Sequence, residues 1–362
     1  MEIFQRILHA AVEGGASDVH IKINTPVILR INRQLIGIEA PTPTVEWVNK
    51  VVDAIVPKHA LRRLEENREV DFSYFVPGIG RFRTNVFQQR GEWCLAMRYV
   101  KTQVPSFEEL HLLPICRNIA ESPRGIVLVA GSTGSGKSTT LAAMIEHINA
   151  HSRKHIITLE DPIEYVFEDN QSVLEQREVG LDTPSFGQAL KHVLRQDPDI
   201  IMIGEMRDST SFTAAMSAAD TGHLVLSTLH TTNAAQSVSR ILDFFQADER
   251  EQVRRQLSAT LQAVVCQRMV ASVSGAMVPA QEVLINTPTV RKLLEENRLE
   301  KLGAAIETGT EDGMQSFNQA LFNLVKSGLV TQKEALNKAS NPQALEMNFK
   351  GIFLDEARRI LS

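Results

Sequence analysis

The chain has 362 residues, of which 43% are hydrophobic and 22% charged, and its formal net charge is −5. This composition excludes a disordered chain, and the length predicts about two domains. The negative charge makes nucleic-acid binding unfavourable as the main role. Three cysteines without a CxxC spacing exclude a zinc or disulfide scaffold and indicate a reduced, cytosolic protein. No apolar run approaches the roughly 18 residues of a membrane span.

The first hundred or so residues predict a small α+β domain. An N-terminal helix with apolar residues at helical spacing ends at Gly14 and Gly15, and a second helix is predicted within residues 45–66. Alternating apolar and polar residues predict strands in the runs VHIKI, VILRINRQLIGI, VDFSYFV, RFRTNVFQQ and WCLAMRYV. The following KTQVPSFEELHLLP has two prolines and no sustained period. It predicts a linker over 101–113 between a domain of residues 1–100 and a second of residues 114–362.

The second domain has a different pattern, in which short apolar strands alternate with helices. The strands are GIVLVAG, HIITLED, IIMIGE and HLVLSTLH, and the helices are predicted over about 137–150, 185–195, 209–219 and from Asn233. This pattern is typical of a parallel sheet covered on both faces. The remainder is predicted to be helical, with a stop at Gly328 and a capping box between Thr331 and Glu334.

A phosphate-binding loop is predicted directly after the strand GIVLVAG and directly before a helix. The run GSTGSGKS matches the G-x-x-x-x-G-K-[ST] pattern in the context that the pattern requires. Glycines let backbone N–H groups approach phosphate oxygens, Lys137 reaches the β and γ phosphates, and Ser138 offers its hydroxyl to Mg²⁺. The alternative is a chance glycine-rich turn. The predicted nucleotide-binding residues are Gly131, Ser132, Thr133, Gly134, Ser135, Gly136, Lys137, Ser138 and Thr139.

Polar residues close the predicted parallel strands. They are Glu160 and Asp161 after the second strand, Glu164 just beyond, Glu205 after the third and His230 after the fourth. The carboxyl ends of parallel strands meet at one sheet edge, so these residues are expected beside the phosphate loop. Each also has a structural alternative: an acidic turn before Pro162, a surface ion pair of Glu205 with Arg207, and buried, hydrogen-bonded histidines at positions 223 and 230.

These motifs together resemble the secretion ATPase superfamily, and within it the type IV pilus retraction ATPases. The resemblance covers nearly the whole chain. It is carried by GSTGSGKS, ITLEDPIEY, QREVG, LRQDPD, GEMRD and the TGH to TLH segment, and earlier by GGASDVH and GRFRTNVFQQR. It implies a PAS-like first domain and a RecA-like P-loop second domain with a helical C-terminal extension. It also implies ATP and Mg²⁺ as cofactors.

The resemblance further implies roles for individual residues. Glu164 is the catalytic base of the acidic box, Glu205 is the Walker B acid that joins Ser138 at the metal, and His223 and His230 form the histidine box. Arg83 and Arg98 of the first domain are expected to reach the phosphates from a neighbouring module, where such an arginine is worth roughly 10³ to 10⁵ in rate. The alternative for both arginines is the solvated face of an antiparallel strand.

The resemblance predicts a homohexameric motor that powers pilus retraction in twitching motility. Its partners would be an inner-membrane pilus platform protein and a paralogous retraction ATPase, and it would be cytoplasmic and peripheral at the inner membrane's cytoplasmic face. The chain lacks the four-cysteine zinc element and extra N-terminal region of the pilus-extension ATPases. The family's Ala-Ile-Arg-Asn-Leu-Ile is Thr-Val-Arg-Lys-Leu-Leu over 289–294, which leaves open a PilU-like accessory ATPase.

Three further alternatives remain. One is a related secretion or DNA-uptake motor, and another is a nucleotide-dependent scaffold that hydrolyses little. The third is a nucleic-acid translocase, which the absence of a Lys/Arg-rich run disfavours.

Overall fold

The computed structural model describes residues 1–31 and 34–353. Contacts divide the chain into two compact units. The first comprises Met1–Gln103 with Pro162–Val166, and the second comprises Val104–Asp161 with the chain from Phe167 onward. The boundaries at 100/101 and 113/114 stay a prediction. Within the described residues, no helix is both long and apolar enough to span a bilayer.

The first unit is a twisted antiparallel sheet with helices on one face. The helices are α1 (Glu2–Glu13), α2 (Val45–Ile55) and α3 (Lys58–Asn67). The strands are β1 (Asp18–Ile21), β2 (Ile28–Ile31), β3 (Gln34–Gly37), β4 (Glu69–Val76), β5 (Gly80–Gln89) and β6 (Glu92–Val100). In the described residues the strand order is β3-β2-β1-β6-β5-β4. Apolar residues of α1 and α2 pack on alternate residues of the sheet, such as Phe82 and Met97.

Two predictions for this unit need correction. The helix predicted over 45–66 is two helices, because Val56 is extended (φ −69°, ψ 120°) before Pro57. The proline ring disfavours helical geometry at the residue before it. The run VILRINRQLIGI forms β2 and β3 rather than one strand, and Asn32 and Arg33 lie outside the described residues.

The second unit contains a larger sheet with helices on both faces. Its strands are β7 (Gly125–Ala130), β8 (His155–Glu160), β9 (Val173–Glu178), β10 (Ile200–Ile203), β11 (Leu224–Leu229), β12 (Leu261–Ala271) and β13 (Met277–Ile285). Its first helices are α4 (Ile115–Ala120), α5 (Lys137–His151), α6 (Phe186–Val193), α7 (Ser209–Asp220), α8 (Ala234–Asp243) and α9 (Arg250–Thr260). The later ones are α10 (Pro288–Glu295), α11 (Leu302–Thr308), α12 (Phe317–Lys326), α13 (Gln332–Lys338) and α14 (Pro342–Phe349).

Over the described residues this sheet has the order β13-β12-β7-β11-β10-β8-β9. All neighbouring strands are parallel except β12 and β13. Central strand β7 is buried along its whole length. Its Ile126 and Leu128 face the core that contains α7 and α8, whereas Val127 and Val129 face the core that contains α5. The predicted fold class, a small α+β domain followed by a RecA-like α/β domain with C-terminal helices, is confirmed.

The prediction that the remainder is helical is wrong in part. Strands β12 and β13 form an antiparallel hairpin between α9 and α10, and β12 extends the parallel sheet by pairing with β7. The capping box predicted for α13 is only half formed. Thr331 accepts a hydrogen bond from the Glu334 backbone, but the Glu334 carboxylate accepts from the Ala271 N–H at 3.3 Å instead of closing the box.

Candidate nucleotide site

The glycine-rich loop lies between β7 and α5, where the sequence predicts it. Gly131 donates its N–H to the Leu229 carbonyl, which fixes the start of the loop to the neighbouring strand. A side chain at Gly131 would collide with the Ser135 hydroxyl and come within 2.7 Å of the Gln267 carbonyl. Gly136 has φ +85° and caps α5, whose N-terminal N–H groups therefore face the loop. This backbone has the shape and the polarity of an anion cradle.

Lys137 is buried at the first position of α5, and its Nζ donates hydrogen bonds to the carbonyls of Gly131 and Ser132 at 3.0 and 3.1 Å. The ammonium is therefore folded back over the loop. The Ser135 hydroxyl is also buried, and it makes no hydrogen bond within residues 1–31 and 34–353. A buried cation and an unsatisfied hydroxyl in one glycine-rich loop fit a phosphate group.

The carboxylate of Glu205 lies beyond the end of β10, at the same sheet edge as the loop. Its Oε1 is 3.3 Å from Nε2 of His230, which follows β11, and its Oε2 accepts a hydrogen bond from Arg207 at 2.7 Å. The Thr228 hydroxyl donates to the Gly204 carbonyl at 2.7 Å and thereby ties β10 to β11 at this point. Glu205 and His230 therefore come together as the strand-end argument predicts, and the ion pair of Glu205 with Arg207 is also present.

Several charges act on Glu205. Burial raises its pKa, but the hydrogen bond and charge of Arg207, with the charges of His230 and Lys137, outweigh burial and lower the pKa below its ordinary value. Glu205 is consequently ionised at neutral pH, which is the form that a divalent cation binds. The positive charge of Lys137 in the loop therefore interacts with the Glu205 carboxylate beyond the end of β10.

Glu160 ends β8 at this edge but is held within the protein. It is buried, and its Oε1 accepts hydrogen bonds from Thr158 at 2.6 Å and Gln176 at 3.1 Å. Gly204 packs against it, since a side chain there would lie 3.5 Å from the Glu160 Cα. Glu160 therefore has a structural role, in which its hydrogen bonds stabilise this edge of the sheet.

His223 lies at the other end of β11 from His230. It precedes the strand, and its ring Nδ1 is 2.9 Å from the Ala218 carbonyl, an acceptor, so Nδ1 carries the proton and donates. The Gly125 N–H at the start of β7 donates to the His223 carbonyl. The two histidines therefore sit at opposite ends of one strand of six residues.

Glu164 belongs to the Pro162–Val166 segment, which packs with the first unit. Tyr165 forms a bridge with Lys101, and the Val166 N–H donates to the Lys101 carbonyl at 3.1 Å. The assignment of Glu164 as catalytic base stays a prediction.

Arg83 and Arg98 lie side by side on the first unit's sheet. They pair across β5 and β6, and Asp18 of β1 pairs with Arg98 on its other side. The buried Asp18 carboxylate accepts a hydrogen bond from Arg98 Nε at 2.9 Å and lies 3.6 Å from Arg30 Nε. Directly opposed residues share a face of the sheet. Arg30, Asp18, Arg98 and Arg83 therefore form a row across β2, β1, β6 and β5, called the arginine row.

Sequence reasoning missed Asp18 and the residues of β12 behind the loop. Asp18 lies in the GGASDVH segment, but nothing in that segment indicates a partner some eighty residues later. Gln267 and Met269 of β12 back the loop, with the Met269 sulfur 3.6 Å from where a Gly136 side chain would begin. The apolar run LQAVVCQRMVA was the available signal.

A glycine-rich loop that joins a buried parallel strand to a helix, with an ionised glutamate two strands away, defines a P-loop nucleoside triphosphatase with a RecA-like sheet. The family model "Type II/IV secretion system protein" matches residues 1–318. The chain belongs to this family of ATPases, and the resemblance predicted from the motifs is confirmed.

Two curated relatives come from Pseudomonas aeruginosa. The type IV pilus retraction ATPase PilT is 40% identical over 343 residues, which cover 95% of this chain and 99% of PilT. The type IV pilus ATPase PilU is 40% identical over 348 residues, which cover 96% of this chain and 91% of PilU. A crystal structure of the pilus retraction motor PilT with bound ADP superposes with a TM-score of 0.86 at 42% identity, covering 94% of this chain and 98% of that one.

Proposed function

We propose that this protein is an ATP-hydrolysing motor that powers type IV pilus retraction. The observation that carries the proposal is the phosphate loop with Lys137, electrostatically linked to the paired Glu205 and His230, in a chain similar to PilT along nearly its whole length. Function in pilus retraction follows from that similarity, and ATP hydrolysis follows from the site.

Residues 131–139 would hold the nucleotide, with Lys137 on its phosphates. The PilT crystal structure contains ADP, which supports a nucleotide here. The Ser138 hydroxyl and the ionised Glu205 carboxylate provide oxygen ligands of the kind that Mg²⁺ prefers, the latter directly or through water. When bound, Mg²⁺ neutralises negative charge on the phosphates.

The remaining residues have roles in hydrolysis. Glu164 takes the proton of the attacking water. His230, paired with Glu205, responds to the state of the bound nucleotide. His223 stands at the other end of the same strand as the second member of the histidine box. Arg83 and Arg98 stabilise charge on the phosphates of a neighbouring subunit.

Asp18 is expected to orient Arg98, so Asp18→Asn should lower ATP turnover. A part-exposed ion pair is worth up to about 1 kcal/mol, which converts to about a two- to fivefold loss of rate. Steady-state phosphate release by purified protein measures it, with circular dichroism as the folding check. Asp53→Asn, at an exposed position on α2, is the matched control and should keep wild-type turnover. Unchanged turnover in Asp18→Asn would show that Asp18 does not orient Arg98 for hydrolysis.

A ring assembly follows from arginines supplied by a neighbour. Such a contact is head-to-tail, and its repetition either closes into a ring or continues as a filament. The family resemblance predicts a hexamer. Light scattering with a non-hydrolysable ATP analogue and Mg²⁺ should give roughly 240 kDa for a hexamer of this 40.3 kDa chain. A monomer or dimer that hydrolyses ATP at the full rate would contradict the ring.

The motor would act against an inner-membrane pilus platform protein, peripheral to the cytoplasmic face of that membrane. The similarity to pilus ATPases supports this location. The equal identity to PilT and PilU supports a second candidate, an accessory retraction ATPase that works beside a paralogue.

A deletion strain separates these candidates. Loss of twitching with excess surface pili is expected for the retraction motor. Twitching that persists at reduced force would identify the accessory ATPase, and absence of pili would identify an assembly role. A normal pilus phenotype with lost secretion or DNA uptake would overturn pilus retraction.

A further inference from the structure

A half-buried arginine and a buried glutamate lie behind the turn of residues 230–233, called the His230 turn, which follows β11. Arg268 is on β12 and Glu282 on β13. They are diagonal neighbours on the same face of the hairpin, two residues out of register, since Cys266 pairs with Glu282 and Arg268 with Ala280. Burial lowers the pKa of Arg268 and raises the pKa of Glu282. The opposite charge of each residue offsets part of this effect on the other. The proposed catalytic roles use neither residue. We call this pair, Arg268 with Glu282, the clasp.

Glu282 lies beside two helix N-termini. Its Oε1 accepts a hydrogen bond from the N–H of Ala234, the first residue of α8, at 2.8 Å. The backbone N–H of Phe317, the first residue of α12, is also near enough to the carboxylate to lower its pKa. Both N–H groups lack partners within their own helices, and both helix ends are positive. One carboxylate therefore caps α8, the helix after the His230 turn, and lies beside the N-terminus of α12.

Arg268 makes a second bridge between the same two regions. Its guanidinium donates to the Thr232 carbonyl in the His230 turn at 3.4 Å and to the Lys338 carbonyl at the end of α13 at 3.1 Å. It also lies 3.8 Å above the ring of Phe317. A planar guanidinium can serve two carbonyls and one ring at once, whereas a lysine ammonium cannot.

We propose that Arg268 and Glu282 are positioning residues that hold the His230 turn and couple it to helices α12 and α13. The inference rests on the proposed function, since it takes His230 with Glu205 as the end of the site that responds to nucleotide. A shift of the turn changes the Thr232 carbonyl and the Ala234 N–H together, and both have their partners on the clasp. The same two side chains bind α12 and α13, so the C-terminal helices follow the state of the site.

The test is hydrogen–deuterium exchange on the full chain, with and without a non-hydrolysable ATP analogue and Mg²⁺. In the wild type, nucleotide should slow exchange about threefold or more in three segments, namely residues 131–139, 230–236 and 316–341. In Arg268→Met, slowing at 131–139 should persist, while slowing at 316–341 should fall below half of the wild-type value. Arg240→Met is the matched control, since Arg240 on α8 also lies over an aromatic ring, that of Phe244, at 4.8 Å. It should keep the wild-type slowing at 316–341.

Kinetics adds a second readout. Arg268→Met should lower kcat about tenfold and change KM less than about twofold, and Arg268→Lys should not restore kcat. Glu282→Gln keeps the shape of the clasp and an acceptor oxygen, and it should weaken the exchange response in the same direction; it decides the question if Arg268→Met does not fold. Full coupling of 316–341 in the folded Arg268 variant, or in Glu282→Gln, would overturn the inference.

The wild-type result separates the inference from the proposed function. If the analogue slows exchange at 131–139 but not at 316–341, the coupling is overturned and nucleotide binding stands. If it slows none of the segments, the proposed function fails, and the inference fails with it.

Discussion

Replacing Lys137 with alanine is expected to lower MgATP hydrolysis by roughly 10²-fold or more, because a positioned cation that stabilises transition-state charge is lost. Lys137 is buried and already directed at the loop through its bonds to Gly131 and Ser132. Binding of nucleotide should also weaken. Phosphate release by the purified chain measures the first effect, and titration with a fluorescent ATP analogue measures the second.

Lys191→Ala is the control for this experiment, since Lys191 lies exposed in the last turn of α6. It should keep wild-type turnover. If Lys137→Ala retained more than about half of the wild-type rate, the loop would not be the site of triphosphate hydrolysis.

The second large effect is expected for Glu164→Gln. The neutral amide occupies the same space but cannot take the proton of the attacking water, so hydrolysis should fall by about 10²- to 10⁴-fold. Affinity for the ATP analogue should stay close to the wild-type value. Glu205→Gln should instead raise the Mg²⁺ concentration needed for activity, because the ionised carboxylate beside the site is removed.

Glu160→Gln is the comparison that identifies the base. Glu160 is buried and bonded to Thr158 and Gln176, so its substitution should lower stability more than it lowers kcat. Normal hydrolysis in Glu164→Gln together with loss in Glu160→Gln would show that the wrong carboxylate of the acidic box has been chosen.

The core of the second unit could be predicted because its signals are local. Buried parallel strands give continuous apolar runs, and such runs dominate β7, β8, β10 and β11. Polar residues stand at the end of β8 or within two residues beyond the ends of β10 and β11. The loop pattern fixes the position of Lys137, and the strand order then brings Glu205 and His230 together. Each of these steps needs only the period of the sequence and the rule that parallel strands end at one edge.

The β12–β13 hairpin escaped prediction because an apolar run of about ten residues fits a buried helix as well as a buried strand. The run LQAVVCQRMVA holds several valines, and Ser272 and Gly275 follow at the turn, which together would have favoured a hairpin. Without the hairpin, neither Gln267 behind the loop nor the clasp of Arg268 and Glu282 could be located.

Long-range pairs could not be predicted from spacing either. Asp18 holds Arg98 across 80 positions of the chain, and only the strand register brings them together. His223 and His230 flank β11, and the strand between them puts them at opposite edges of the sheet. The motif shows only that the two histidines are close in sequence, not that they are close in space.

We propose that ATP hydrolysis by this chain drives pilus retraction. Counting the retraction of fluorescently labelled pili tests this claim in cells whose own copy is replaced by wild type, Lys137→Ala or Glu164→Gln. We expect retraction with the wild-type chain, and in both variants a loss of retraction that matches their loss of hydrolysis, with pili accumulating on the surface. Retraction at the wild-type frequency in either variant would contradict the claim.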